Sequence, residues 1–307
     1  MSIRIAPALV ALGLLAGCVA PKQAQPGPAI ADAPEVKITQ EPGRTEFAFE
    51  GAVTQGGAVI GTAPGGTVEL RFGDAIVPLA ADGRFLIAFD RDAAPVATVT
   101  ARLADGRVIR KSLIVSPRAW RLETIDAPLR PVANSEAFMA IRKPELERIA
   151  AARAVQTGSQ GWRQRFAWPS LGRISGLFGA QRIYRGQPGA YHGGIDIAAA
   201  TGAPVLAPAD GVVVLAAAAP FTLEGNLLIL DHGAGLNSAF LHLSRIDVKE
   251  GQAVRKGQLL GAVGATGRAT GPHLHWGLKW HDARIDPLLL TGPMPGAGAP
   301  DPGMPSD

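Results

Sequence analysis

Short runs of alternating apolar and polar residues, separated by turn residues, fill the first half of the chain. The clearest runs cover residues 68–72, 85–89, 99–103 and 112–115. Asp82-Gly83 and Asp105-Gly106 stand between such runs, and Asp-Gly favours tight hairpins because both central positions of the turn need positive φ. The pattern predicts a small antiparallel β-sandwich over residues 36–125, immunoglobulin-like in its strand pattern but without a cysteine pair.

One helix is predicted after the sandwich. Pro144, followed by acidic residues, is typical of a helix start, because the first turn does not need the donor that proline lacks. Apolar residues then recur at helical spacing to about Val155, and Gly158 ends the helix. We expect residues 126–161 to be a linker whose helix packs on one of the β domains.

Alternation with dense turn residues resumes over residues 162–291 and predicts a second antiparallel β domain. The fold class is therefore mainly β, with one short linker helix. Residues 292–307 are mostly Gly, Pro, Ala and Met, and we expect this tail to be disordered.

The N-terminus has the pattern of an export signal. An apolar run, too short to span a bilayer as a mature helix, ends in Leu-Ala-Gly-Cys18 and resembles the bacterial lipobox, in which the cysteine is lipidated. We expect residues 1–17 to be a lipoprotein signal peptide, Cys18 to anchor the protein to the membrane by lipid, and residues 18–35 to be a flexible tether. An ordinary secretory signal with an incidental cysteine is the alternative.

The residue after Cys18 is Val19 and not Asp. By analogy with lipoprotein sorting, this favours the outer membrane. We therefore expect a periplasmic location with a lipid anchor to a cell membrane, and the sequence leaves the choice between the inner and the outer membrane open.

Composition and charge narrow the classes of function. Charged residues make up only 18% of the chain, and the formal net charge of +4 is mild for 307 residues. No basic run carries interleaved aromatic residues, so we expect no nucleic-acid partner. Cys18 is the only cysteine, which excludes an internal disulfide and a cysteine-rich structural zinc site.

Four of the six histidines fall in three short motifs of the last third of the chain. The motifs are His192-Gly-Gly-Ile-Asp196, Phe240-Leu-His242-Leu-Ser244 and His273-Leu-His275. Side chains on a strand repeat every two residues, so His273 and His275 share a face. An open catalytic zinc site takes three His or carboxylate ligands and one water. His192, Asp196 and either His273 or His275 would satisfy it, and spacing alone does not choose between those two.

The same motifs resemble those of the lysostaphin-type (LytM-like) zinc metallopeptidases. His192 to Asp196 matches H-x-G-x-D, His242 begins the H-L element, and His273-Leu-His275 matches H-x-H. The surrounding segments that agree are Phe178-Gly179, Ala207-Pro208-Ala209-Asp210-Gly211-Val212, Gly225-Asn226, Val254-Arg255-Lys256-Gly257-Gln258, Gly264-Ala265-Thr266-Gly267 and Gly271-Pro272. The resemblance covers about residues 165–290 and is specific, because three motifs occur in the right order and spacing.

The resemblance implies a LytM-like peptidase domain over residues 162–291, with Zn²⁺ as its cofactor. The implied metal ligands are His192, Asp196 and His275, and the implied catalytic pair beside the attacking water is His242 and His273. The implied function is a zinc-dependent endopeptidase that hydrolyses peptide bonds of peptidoglycan in the bacterial cell envelope.

One position departs from the family pattern. Many relatives have Tyr two residues before the H-L histidine, and this chain has Phe240. We expect the Phe240 ring to pack in the fold, and the contact that the tyrosine hydroxyl makes in those relatives to be missing.

A second interpretation stays open. A catalytically quiet envelope protein of this fold could bind or activate cell-wall amidases or a morphogenetic complex, with an amidase or a division protein as its partner. The complete set of ligands and flanking histidines favours the enzyme. Zinc-dependent release of new amino termini from peptidoglycan would distinguish the two.

Other polar and aromatic residues have structural interpretations. His232 is expected to be a hydrogen-bonded structural residue, and His281 to be exposed. Trp276 and Tyr191 adjoin the ligands, and for them a substrate groove and ordinary packing are equally compatible with the sequence. Arg91 stands between two aspartates, and a solvated loop salt bridge is the favoured interpretation.

Overall fold

The computed structural model of the chain describes residues 43–129 and 135–295. The predicted signal peptide, Cys18 and the tether lie outside the described residues, as do residues 296–307 of the predicted tail. The described part of the tail is bonded to the fold, since the Trp168 indole donates to the carbonyl of Gly292. No helix within the described ranges is both long and apolar enough to cross a membrane.

Seven strands in two antiparallel sheets, here called the N-terminal sheets, form the first half. They are β1 (Ala48–Gly51), β2 (Ala58–Thr62), β3 (Thr67–Phe72), β4 (Ala75–Ile76), β5 (Arg84–Ala88), β6 (Val96–Leu103) and β7 (Val108–Ile114). Their orders are β1-β2-β5 and β4-β3-β6-β7. Alternation buries Leu70 of β3 and Val99 and Ala101 of β6. Gly83 and Gly106 of the two Asp-Gly turns have φ of 80° and 87°.

A short strand and a helix connect the halves. They are β8 (Leu122–Ile125) and α1 (Glu136–Ala154). The predicted helix start at Pro144 is wrong, because Pro144 lies inside α1. The start signal lies earlier: the Ser135 hydroxyl caps the helix by accepting the Phe138 N–H at 3.1 Å.

The second half consists of short strands, here called the C-terminal sheets. They are β9 (Arg173–Gly176), β10 (Gln181–Tyr184), β11 (Gln187–Pro188), β12 (Ile195–Ala198), β13 (Pro204–Leu206), β14 (Gly211–Ala216), β15 (Asn226–Asp231), β16 (Leu236–Leu243), β17 (Arg245–Ile246), β18 (Ala253–Val254), β19 (Leu259–Ala262), β20 (His273–Trp280) and β21 (Ala283–Ile285). Two 3₁₀ turns lie at Gly161–Arg163 and Pro287–Leu289.

An eight-stranded antiparallel sheet is the largest unit of this half. Its order is β18-β14-β15-β16-β20-β12-β9, with β21 on β20. A second sheet has the order β13-β19-β17, and β10 pairs with β11 and, in parallel, with β8. The mainly β fold class with one helix is confirmed, whereas the immunoglobulin-like topology and the domain boundaries stay predictions.

Strand β20 separates the core from the candidate site. Its even-numbered residues Leu274, Trp276 and Leu278 are buried, while the odd-numbered His273 and His275 are half-buried on the other face. Helix α1 packs on that other face, because Ala152 contacts a cluster that includes Leu241, the cross-strand neighbour of His275. The expectation that the linker helix packs on a β domain is confirmed.

The N-terminal and C-terminal sheets contact each other directly. Asp82 accepts two hydrogen bonds from Arg163 at 2.6 and 3.0 Å, and Arg118 pairs with the buried Asp286 at 2.8 Å. Phe72 meets Trp280 edge to face at 5.9 Å between ring centroids. The described residues on both sides belong to one compact unit.

Candidate metal centre

Three half-buried side chains converge on one point of the large sheet, on the face that carries His273 and His275. His192 Nε2 lies 3.1 Å from Asp196 Oδ1 and 3.0 Å from His275 Nδ1. His275 Nδ1 lies 2.9 Å from the same carboxylate oxygen. Within the described ranges, these three residues are the one group with the spacing of a metal site.

Two adjacent strands and one loop supply the three groups. Asp196 on β12 is the direct cross-strand neighbour of His275 on β20. His192 lies in the loop before β12 and not on a strand. Its Nδ1 donates to the carbonyl of Leu177 at 3.0 Å, so its Nε2 carries the lone pair that faces the other two groups.

Electrostatics keep the carboxylate ionised. Burial would raise the pKa of Asp196, but its contacts with the His192 and His275 imidazoles outweigh burial and hold that pKa well below its usual range. Burial lowers the pKa of His275, which favours its neutral form. Burial also acts to lower the pKa of His192, yet the adjacent Asp196 raises it overall.

The donor set fits zinc. One carboxylate oxygen and two imidazole nitrogens are the ligand types of an open catalytic zinc site. Across a tetrahedral zinc site, ligand atoms lie about 3.3 Å apart, close to the 2.9–3.1 Å seen here. Three atoms with lone pairs at such distances repel one another unless a proton or a cation lies between them.

Two further histidines lie beside this cluster. The rings of His242 and His273 are 4.9 Å apart between centroids, and His273 Nε2 is 3.8 Å from Asp196 Oδ1. Each Nδ1 donates to a carbonyl, of Thr266 for His242 and of Gly271 for His273, both at 2.8 Å. In the neutral rings, Nε2 is then the atom free to accept a proton. Burial lowers the pKa of His242, which keeps it neutral.

The backbone of His242 is strained. Its φ of 64° lies in the left-handed region that non-glycine residues rarely adopt. The Glu224 carbonyl accepts the His242 N–H at 2.8 Å. Arg142 of α1 holds both carboxylate oxygens of Glu224 at 2.6 Å. The linker helix therefore supports the loop that fixes His242, and the sequence carried no motif for Arg142 or Glu224.

The structure also places the remaining predicted residues. His232 is fully buried and hydrogen-bonded to the carbonyl of Asp210 and the hydroxyl of Ser238, each at 2.8 Å, so its structural role is confirmed. His281 is exposed, as expected. Trp276 and Phe240 are fully buried in the core, so Trp276 does not line a groove and Phe240 packs as expected.

The interpretation of Arg91 as part of a solvated loop is wrong. Arg91 does pair with Asp92 at 2.6 Å, but only 6% of it is exposed. Its other donors reach residues about 90 positions further along the chain, at Gly179 and Gln181. No local pattern could reveal contacts of that range.

A mainly β fold with an open His-Asp-His site and two adjoining histidines is the architecture of a zinc metallopeptidase domain. Residues 190–287 match the model of Peptidase family M23. The chain therefore contains an M23 (LytM-like) peptidase domain, and the family resemblance of the motifs is confirmed.

Several curated proteins and solved structures are similar to this chain. Peptidoglycan DD-endopeptidase ShyA of Vibrio cholerae serotype O1 is 43% identical over 135 residues, 43% of this chain and 30% of that protein. DD-carboxypeptidase/endopeptidase Mpg of Neisseria meningitidis serogroup B is 39% identical over 127 residues, 40% of this chain and 28% of that protein. The chain thus spans less than a third of the length of either relative.

One of the solved structures is a crystal structure of peptidase M23 from Pseudomonas aeruginosa. The two structures superpose with a TM-score of 0.59 at 28% sequence identity. The aligned region covers 78% of this chain and 94% of the Pseudomonas chain. That coverage exceeds residues 190–287, so the structural likeness extends beyond the family match.

Proposed function

We propose that this protein is a zinc-dependent endopeptidase that hydrolyses peptide bonds of bacterial peptidoglycan. The observation that carries the proposal is the open three-ligand cluster with two imidazoles beside it, each with Nε2 free to accept a proton. The similarity to relatives named as peptidoglycan DD-endopeptidase and DD-carboxypeptidase/endopeptidase supports the choice of substrate.

His192, Asp196 and His275 would hold the ion. When bound, zinc supplies Lewis-acid polarisation of the scissile carbonyl and lowers the pKa of water. The ionised Asp196 contributes the negative charge of the site, and the Leu177 carbonyl keeps the His192 ring in the orientation that binding needs.

His242 and His273 would move the proton. Each ring is held by a carbonyl at Nδ1, so the neutral ring can accept a proton from the attacking water only at Nε2. After it accepts the proton, the same Nε2–H can donate to the oxyanion of the tetrahedral intermediate or return the proton to the leaving amine. The carbonyls of Thr266 and Gly271 therefore set both the tautomer and the direction of proton transfer.

The predicted membrane anchor completes the proposal. A lipid at Cys18 would hold the peptidase domain near peptidoglycan on the periplasmic side of a membrane, and the lipobox resemblance supports it. About 0.8 kcal/mol of binding free energy per buried CH₂ makes several acyl chains sufficient without a spanning helix.

The direct test is digestion of peptidoglycan sacculi with the purified, detergent-solubilised full chain. We expect new amino termini to appear with zinc, to stop with a chelator and to resume when zinc is restored. His242→Ala is the control, since it removes a proton acceptor but leaves all three ligands. Release by the chelated protein, or by His242→Ala at the wild-type rate, would contradict the proposal. So would stimulation of an added amidase without any release by the protein itself.

A further inference from the structure

We infer that Asp90 and Arg91, in the turn between β5 and β6, are positioning residues for the metal ligand His192. The N-terminal sheets would then be part of the metal centre, because they hold the loop from which one ligand projects. The inference rests on the proposed zinc site.

Arg91 hydrogen-bonds two residues of the segment that also contacts His192. Its Nε donates to the carbonyl of Gly179 at 3.0 Å, and its Nη2 donates to Gln181 Oε1 at 3.0 Å. Gln181 in turn donates to the carbonyl of Gly189 at 2.7 Å. One buried guanidinium therefore ties together the beginning and the end of the loop that contains β10 and β11.

The segment bound by Arg91 is the segment that fixes His192. The carbonyl of Leu177 accepts from the His192 ring at 3.0 Å. Gly179 N–H donates to the His192 carbonyl at 2.9 Å, and His192 N–H donates to the Ala180 carbonyl at 2.8 Å. These three hydrogen bonds of His192 thus go to residues 177–180, a segment that contains Gly179 and adjoins Gln181, both of which accept from Arg91.

Asp90 holds the residue on the other side of the ligand. Its carboxylate accepts from the Tyr191 hydroxyl at 3.0 Å and from the Arg284 N–H at 2.9 Å. The Arg91 guanidinium also lies over the Tyr191 ring, 4.9 Å from its centroid. Tyr191, which immediately precedes His192, is therefore held through both its hydroxyl and its ring.

The geometry of Gly179 shows how closely the halves fit. Gly179 has a φ of 79°, and a Cβ there would overlap the ring of Trp120. Arg91 lies over that same indole at 5.3 Å. The acceptor of Arg91 is thus held in a conformation that favours glycine, between two side chains of the N-terminal half.

A loop ligand needs this support more than a strand ligand does. Asp196 and His275 are paired across two long-range strands, whereas His192 is outside any strand. A ligand that is free to move must be ordered when the ion binds, and this ordering reduces affinity. Residues that fix the orientation of a metal ligand through hydrogen bonds typically contribute 10- to 100-fold to metal affinity.

The test is zinc affinity of the full chain without substrate, measured by competition with a chromophoric chelator. Arg91→Met should weaken zinc binding about tenfold, and Tyr191→Phe, which removes the hydroxyl that donates to Asp90 but keeps the ring, about threefold. Arg91→Lys should fall between wild type and Arg91→Met, because one ammonium cannot reproduce the two-acceptor geometry. The visible absorption spectrum of the Co²⁺-loaded Arg91→Met protein should also change, which a purely structural loss would not produce.

Asp82→Asn is the matched control. It weakens another contact between the same two halves, the Asp82–Arg163 pair, which among the described residues shares no hydrogen-bond partner with His192 or Arg91. We expect its zinc affinity and Co²⁺ spectrum to equal those of wild type. Equal losses in Arg91→Met and Asp82→Asn, or wild-type affinity in Arg91→Met, would overturn the inference.

If Arg91→Met does not fold, Tyr191→Phe and Arg91→Lys decide, and wild-type affinity in both overturns the inference. Because no substrate is present, these outcomes are independent of whether the protein hydrolyses peptidoglycan.

Discussion

Acidification below pH 6.5 should destabilise the C-terminal sheets through His232. This side chain is fully buried, and burial lowers its pKa from 6.5 to about 4. Its Nδ1 donates to the carbonyl of Asp210, and its Nε2 accepts from the Ser238 hydroxyl. The same hydroxyl oxygen accepts from the Trp276 indole at 3.3 Å. A proton on Nε2 would therefore turn the Ser238 hydrogen away from its buried acceptor.

The size of this loss in folding stability follows from proton linkage. The pKa of His232 is about 4 in the folded state and 6.5 in the unfolded state. As the pH falls from 6.5 to about 4, His232 is therefore protonated to a greater extent in the unfolded state than in the folded state. Stability is then fully present above pH 6.5 and is lost progressively on acidification. At about 1.4 kcal/mol per pKa unit, the loss from this residue is about 2 kcal/mol at pH 5 and about 3 kcal/mol at pH 4.

Urea unfolding of zinc-free wild type and His232→Gln, at pH 7 and pH 5, measures this effect. The variant should be less stable at pH 7 because the buried network is disturbed. Its further loss on going to pH 5 should be smaller than that of wild type by about 2 kcal/mol. The other histidines are common to both proteins and cancel in the comparison. Equal losses in the two proteins would refute the reasoning.

Three further predictions address the ligands, the anchor and the N-terminal core. His275→Ala should lose both zinc and hydrolysis, whereas His242→Ala should keep zinc and lose hydrolysis; metal analysis that shows equal zinc loss would refute this division. Cys18→Ala should move the protein from the membrane to the soluble fraction with hydrolysis unchanged, and fractionation that finds it still in the membrane would contradict the lipid anchor. Gly61→Ala should lower the free energy of unfolding by about 2 kcal/mol, because a Cβ there overlaps the buried Phe85 ring; urea unfolding equal to wild type would show that the core accommodates it.

Local pattern predicted the parts of the fold that depend on local chemistry. The alternation around Val99 and the glycines of the Asp-Gly turns led to strands and hairpins that the structure contains. The helix start was misjudged because Pro144 is a strong signal, while the Ser135 cap that begins the helix is a weaker one. Proline in a helix interior is normally unfavourable, and contacts of α1 with the sheet override that preference.

Motif spacing likewise identified the five polar side chains of the candidate site. Strand alternation and cross-strand pairing explain the placement of His275 opposite Asp196, but not that of His192, which lies in a loop. Spacing could not identify the residues that hold those side chains. Arg91, Glu224 and Thr266 act through backbone carbonyls or from distant segments, and such contacts leave no periodic pattern in the sequence.

The most direct test of the proposed activity is mass spectrometry of purified cross-linked muropeptide dimers before and after incubation with the zinc-loaded full chain. The proposal predicts conversion of dimers to monomers, each conversion adding one water and exposing one new amino terminus, with no conversion by His242→Ala. Dimers that stay intact with folded, zinc-loaded wild type, or peptides released whole from their glycan strands, would contradict it.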